Sequence, residues 1–459
     1  MVGNLREVSF ILDRAAPCSG SRSGPGAGAG AEVRPWGNAR PVLTVVGTLQ
    51  DNAWLCRAGQ GEGRWRAIRP HDGFLVGPLP RRADRRSPAR MRRAQPVFHF
   101  AIRGSSGVDM GLIRILLALS VVSAHFSAHP FLKFVGGDTA VQAFFIISGF
   151  YIAMIFPGNY QNATSFWKSR FFRLYPVYLF CGLFAFGHPL ESLQNLLALP
   201  PLGGLVVALT NSTLLFQDVT LFLEVRDGAV AFTPDFASSL APLAQYLIVP
   251  QAWSLGLEIS FYLIAPFIIH RPLYLVALLL LSLALRAVLM HYGLSHDPWS
   301  YRFFPTELAL FLLGSLSYKF SQKMKESGWL PDHQGLALFL LALITLFILV
   351  FSFVPLEVWQ KKIALYVLLA AAIPLVFNMT KDVSLDNFVG NLSYPVYCCH
   401  LVVLKWVSKL PGWKLYLKGT LPGTLLALLI VIGFAYLLYR HVELPFDNYR
   451  KRFKKAPAA

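Results

Sequence analysis

Leu336-Ala-Leu-Phe-Leu-Leu-Ala-Leu-Ile-Thr-Leu-Phe-Ile-Leu-Val-Phe-Ser-Phe-Val354 is a run of nineteen residues without a charge. As a helix rising ~1.5 Å per residue it reaches about 28 Å, close to the ~30 Å hydrocarbon core of a bilayer. Nine further segments read the same way, at 111–128, 138–157, 169–187, 252–270, 272–291, 304–320, 363–379, 391–409 and 420–440. A bilayer offers no water to unpaired backbone groups, and a helix pairs them internally. The expected fold is therefore all-α, a polytopic integral membrane bundle of about ten transmembrane helices. Residues 196–216 are also apolar but hold Pro200, Pro201, Gly203, Gly204 and Asn211. They are expected as a re-entrant or interfacial piece of a long loop.

Composition agrees. Of 459 residues, 55% are hydrophobic and 14% charged, against ~45–50% and ~25% in soluble domains. The net charge of +18 has two sources. Residues 1–109 hold seventeen arginines, no lysine and eight acids, leaving +9. Residues 110–459 hold ten arginines, fifteen lysines and sixteen acids, again leaving +9. The later charges sit between apolar spans, so no nucleic-acid partner is expected. Membrane lipid is.

The segment 1–109 is an Arg/Gly/Pro-rich N-terminal arm with no apolar run long enough to cross a bilayer. Three readings fit it: a disordered tail, a basic arm on anionic lipid, or a misassigned start. Arginine without lysine, followed by Met110-Gly-Leu-Ile-Arg, favours the last. Residues 110–450 form the expected membrane domain, and 451–459 a basic cytoplasmic tail.

Loop charges orient the bundle. Lys168, Arg170 and Arg173 follow the second span, Lys319, Lys323 and Lys325 the sixth, and Arg450, Lys451, Arg452, Lys454 and Lys455 the tenth. All fall on one side if both ends are cytoplasmic. The 188–250 loop is then external, with Glu191, Asp218, Glu224, Asp227 and Asp235 against Arg226. Lys361, Lys362, Lys414 and Lys418 are exceptions on the outer side.

Charges inside spans are costly and mark function by default. Arg114 and His125 lie eleven residues apart in the first span. At 100° per residue they come within about 20° of one face, roughly 16 Å apart. A fixed cation at the inner surface and a titratable base further along suit an anionic donor and a proton transfer. An interfacial anchor with a packing histidine is the plain alternative. In the fourth span Ser254, Glu258 and Tyr262 form a polar stripe at i, i+4, i+8. Glu258 needs a partner such as Arg or His, either for catalysis or as a structural ion pair. Arg170 and Arg173, at i and i+3, can grip a phosphate or simply anchor the third span. In Asn391-Leu-Ser393-Tyr394-Pro395-Val-Tyr397-Cys-Cys-His400, His400 alone reads as a packing residue. Glu443-Leu-Pro445 reads as a helix stop. Arg286 and Glu307 are a candidate ion pair. The five cysteines make no disulfide framework, and no metal, P-loop or dinucleotide motif occurs.

These segments, together with Phe144-Phe-Ile-Ile-Ser148-Gly149-Phe150, Arg170-Phe-Phe-Arg173-Leu-Tyr-Pro176 and Trp253-Ser-Leu-Gly-Leu-Glu258, occur in an order that resembles the membrane acyltransferase 3 family. The likeness covers about 110–450. Ile259 departs from it, since the family commonly has Glu or Gln after the glutamate. No hydrolase-like domain, of the kind some members append, is expected within these residues.

The resemblance implies a membrane O-acyltransferase of a bacterial inner membrane. An acyl-CoA, usually acetyl-CoA, would acylate a hydroxyl of a cell-envelope glycan or lipid-linked sugar. It implies His125 and Glu258 as catalytic residues and Arg114, Arg170 and Arg173 as donor-binding. Ser148, Trp253, Tyr262 and His400 would meet the substrate, and no metal is involved. A membrane transporter or exporter of a glycan or lipid is the alternative. A further one is another membrane O-acyltransferase family with an Asn/His core, in which His400 would serve.

Overall fold

The computed structural model describes residues 110–126, 128–185, 194–329 and 333–455, with Lys414 and Leu415 as backbone only, and the backbone of four strands between 30 and 68. The chain divides into two units, 1–97 and 98–459. In the first, β1 (Gly30–Glu32), β2 (Thr44–Leu49), β3 (Asn52–Ala58) and β4 (Arg64–Ile68) form an antiparallel sheet in the order β1-β4-β3-β2. The rest of 1–109, Glu191 and 456–459 lie outside the described residues.

The second unit is mostly helical. Its helices are α1 (Gly111–Ala124), α2 (Gly137–Asn159), α3 (Ala163–Ala185), α4 (Pro201–Thr213), α5 (Trp253–Ile268), α6 (Pro272–His291), α7 (Phe304–Glu326), α8 (Gln334–Val350), α9 (Val358–Thr380), α10 (Ser384–Val407), α11 (Leu421–Leu438) and α12 (Leu444–Arg450). Each of the ten apolar segments is helical over most of its described residues. Five stretches among the described residues are long and apolar enough to cross a membrane: Pro130–Asn159, Pro272–His291, Gln334–Phe353, Val358–Thr380 and Leu421–Phe453. As expected, the described residues are mostly helical, with few strands. Besides the β1–β4 sheet, the 194–250 loop carries an antiparallel hairpin, β5 (Leu223–Arg226) and β6 (Ala229–Phe232). Asp227 and Gly228, both with positive φ, turn it, the geometry that tight hairpins need.

Burial separates inner from peripheral helices. α6 and α8 bury little and expose Leu280, Leu281, Leu338 and Phe339. α2 is largely enclosed, because glycines let it approach α7 closely. A Cβ on Gly149 would come within 1.9 Å of the Phe311 carbonyl oxygen, and one on Gly314 within 1.8 Å of that of Ile146. Small residues at crossings are how membrane helices gain contact without a hydrophobic drive.

α1 is held by α10. Asp386 accepts from the Gly111 and Leu112 amides at 2.7 and 3.0 Å, placing a carboxylate on the helix N-terminus. The Arg286–Glu307 pair forms at 2.7 Å. Gln142 donates to both carboxylate oxygens at 3.0 Å, and Tyr366 donates to Gln142. Two of the lysines that break the charge rule are occupied locally. Lys362 pairs with Asp138, and Lys361 reaches the Val354 carbonyl and the Phe351 ring.

The helix stop at Glu443-Leu-Pro445 does not occur. A π-helical turn over Tyr439–Glu443 carries the chain on into α12, with Pro445 in its first turn. Proline costs little there, since the first amides of a helix lack intrahelical partners. Cys181, Cys398 and Cys399 are buried free thiols.

Candidate functional site

Among the described residues, two cavities within the bundle gather polar side chains. The first, of about 250 Å³, is walled by α1, α2, α3, α5, α10 and the chain around α12. Arg114, Arg170, Arg173, Arg450 and Lys454 all border it, as do Ser148, Ser254, Glu258, Tyr262, Tyr394 and Tyr397. The second, of about 560 Å³, is walled by His125, Asp138, Gln251, Trp253, Tyr301, Arg302 and Tyr397. Val141 and Tyr397 border both.

The arginines of the first cavity are not equivalent. Arg173 is buried against Glu443, with Asp447 at 3.5 Å, and stacks over the Tyr394 ring. Arg450 is held by Asp447 at 2.6 Å. Arg170 donates to the Tyr160 hydroxyl at 3.1 Å, while its buried Nε has no hydrogen-bond partner. Arg114 is buried with its guanidinium 6.0 Å from the centre of the Tyr151 ring. Lys454 reaches the cavity because the chain after α12 folds back, where the Lys455 amide donates to the Asn159 carbonyl at 2.8 Å. Among the described residues, five cations border a cavity whose wall holds one carboxylate, Glu258, with Glu443 and Asp447 close to Arg173. A positive excess remains.

The stripe on α5 faces this cavity. Ser148 donates to Glu258 Oε1 at 2.6 Å, and the Tyr262 hydroxyl donates to the same oxygen. Where the sequence pointed to an arginine or histidine beside Glu258, the structure supplies two hydroxyls, enough to satisfy a partly buried carboxylate. Ser254 bonds Tyr397, which also donates to the Gln251 carbonyl at 2.8 Å. Ile259 packs against the apolar core and borders neither cavity.

His125 ends α1 and is exposed to the second cavity. Its ring centre lies 5.0 Å from that of His400, which is fully buried and borders neither cavity. Trp253 is roofed by Arg302, whose guanidinium sits 4.6 Å from the ring centre. Asp297 orients Arg302 through contacts of 2.9 and 3.0 Å. Burial raises the Asp297 carboxyl pKa above its ordinary value, against the opposing pull of Arg302. The 194–250 loop supports this wall. Phe222 packs edge-on against Trp299 and Phe303, and Phe236 lies against Arg302.

The sequence therefore located residues of both cavities but missed several. Arg450 and Lys454 were visible only as topology charges, and Glu443 only as part of a helix stop. Nothing in the sequence around Arg302 marks it.

The model of a family described as an acyltransferase domain matches residues 108–440. The chain belongs to the acyltransferase 3 family. It is an integral membrane protein. The O-acetyltransferase OatA of Staphylococcus aureus (strain NCTC 8325 / PS 47) is 23% identical over 387 residues, covering 74% of this chain and 57% of the relative. An uncharacterized protein of Aquifex aeolicus is 24% identical over 208 residues, covering 44% of this chain and 89% of the relative. The chain thus spans little more than half the length of the OatA relatives it matches. No solved structure matches it.

Proposed function

We propose that this protein is an acyltransferase, moving an acyl group, acetyl in the simplest case, from acyl-CoA to a hydroxyl of a cell-envelope glycan or lipid-linked sugar. The observation that carries the reading is the pair of cavities back to back, one rich in cations and the other containing His125. The bundle is proposed to cross a bacterial inner membrane ten times with both ends of the 110–455 region inside. The positively charged cavity then opens to the cytoplasm, where acyl-CoA is found, and the His125 cavity opens outward. The name of the Staphylococcus relatives supports acetyl as the group carried.

In this scheme Arg114, Arg170 and Lys454 hold the donor phosphates, through charge-assisted hydrogen bonds, while Arg450 stays paired with Asp447. Arg173, already neutralised by Glu443 and Asp447, shapes the cavity. Ser148 and Tyr262, fixed by Glu258, line the path of the acyl chain. His125 takes the proton of the acceptor hydroxyl as its oxygen attacks the thioester carbonyl. The carbon–sulfur bond then breaks, and the departing thiolate is protonated by His125, giving ester and free CoA. Trp253, roofed by Arg302, shapes the acceptor side of the second cavity.

Purified protein with radiolabelled acetyl-CoA and an envelope glycan tests this. Label is expected in the glycan, and His125→Ala is expected to lower kcat by about 10²–10⁴-fold, the usual worth of a general base, with the protein still in the membrane. Glycan flux without label transfer would make it a transporter. Wild-type rates from His125→Ala would remove the base assignment.

A further inference from the structure

His400 has no role in that scheme, yet its surroundings are specific. It sits on α10 with no exposed surface. Its Nδ1 lies 2.6 Å from the Tyr397 carbonyl oxygen. A carbonyl only accepts, so Nδ1 carries the proton. In the neutral ring the other nitrogen, Nε2, is then a lone-pair acceptor. That atom is buried and has no hydrogen-bond partner. Leaving such a buried acceptor without a donor is unfavourable. The neighbouring polar ring is His125, 5.0 Å away centre to centre and tilted by 39°. Tyr397, whose carbonyl fixes the His400 tautomer, also borders both cavities.

We infer that His400 is a positioning residue that accepts the N–H of His125, so that the other His125 nitrogen is presented bare to the acceptor hydroxyl. The inference rests on the proposed base role of His125 and adds a tautomer-setting partner to it. The chemistry is that of an orienting group behind a base, which works by fixing which nitrogen is free. Here the orienting group is a neutral imidazole held by a backbone carbonyl. It adds no charge to the bundle interior, where a charged partner would be costly. Shifting the His125 proton to the other nitrogen would disable the base without moving the ring.

The test compares His400→Leu, which keeps bulk and loses the acceptor, with His400→Gln, whose amide oxygen stands near the place of Nε2. In acetyl transfer by purified full-length protein, His400→Leu is expected to lower kcat about 10- to 100-fold, the usual loss for such a partner. Its KM for acetyl-CoA should stay within about twofold of wild type, and His400→Gln should recover most of the loss. In a His125→Ala background, His400→Leu should cost nothing more. Equal rates for the Leu and Gln variants, with His125→Ala inactive, would overturn the inference and leave the base assignment standing. Wild-type rates from His125→Ala would instead overturn that assignment. If neither His400 variant purifies as a folded protein, histidine-labelled ¹⁵N spectra of the wild type decide. A neutral Nδ1–H imidazole whose Nε2 signal moves on His125→Ala is expected, and its absence overturns the inference.

Discussion

The two cavities share Val141 and Tyr397 and are joined along one helix, α1, yet their chemistry differs almost completely. The first gathers arginines from α1, α3 and α12, with Lys454 beyond. The second offers an imidazole, an indole and one arginine. α1 contributes Arg114 to one and His125 to the other, as the eleven-residue spacing requires. The difference teaches that cation count alone does not identify a phosphate site. Arg173 borders the first cavity but is bound to Glu443 and Asp447, whereas Arg170 keeps a buried unpartnered Nε.

That contrast gives the largest expected effect. Arg173→Leu leaves Glu443 and Asp447 facing each other without their shared cation. Breaking a buried pair from one side costs about 3–5 kcal/mol, so thermal unfolding in detergent should show a large loss of stability. Arg173→Leu combined with Glu443→Leu should recover part of it. If Arg173→Leu keeps full stability and only raises KM for acyl-CoA, Arg173 belongs with the phosphate-binding set.

Next comes the loop that supports the second cavity. Burial raises the Asp218 carboxyl pKa to about 6 from the ordinary carboxylate range. The folded state therefore holds its proton more tightly than the unfolded chain, and this group's contribution favours folding most at low pH. It is lost as pH rises from about 4 through about 6, by about 2–3 kcal/mol at ~1.4 kcal/mol per unit. Asp218→Asn should flatten that part of the profile of unfolding temperature against pH. An unchanged slope would show that Asp218 is solvated.

The smallest effects separate the two cavities by substrate. Arg170→Ala and Lys454→Ala should each raise KM for acyl-CoA about tenfold, equivalent to ~1.4 kcal/mol, and leave the acceptor KM alone. Arg302→Ala should do the reverse. A rise in donor KM on Arg302→Ala would reverse the assignment of the cavities.

Much of this was legible in the sequence. Apolar runs such as 336–354 identified the helices, because lipid leaves the backbone few alternatives. Helical spacing put Ser254, Glu258 and Tyr262 on one face, and the structure places all three on the first cavity. The Arg286–Glu307 pair could be anticipated because a buried charge demands a partner. What could not be read depends on contacts distant in the chain. Glu443 meets Arg173 across 270 positions, so its role is invisible locally. The helix stop at Pro445 failed because a π turn supplies the geometry that a local proline rule does not foresee. The β5–β6 hairpin was hidden in a loop read only for its charge.

On the proposed reading, donor and acceptor meet from opposite faces of the bundle. Proteoliposomes holding radiolabelled acetyl-CoA inside, with the acceptor glycan outside, test it directly. Labelled glycan is expected outside in that arrangement, and none when acetyl-CoA and glycan are both supplied only from outside. Equal labelling in the two arrangements would contradict the account.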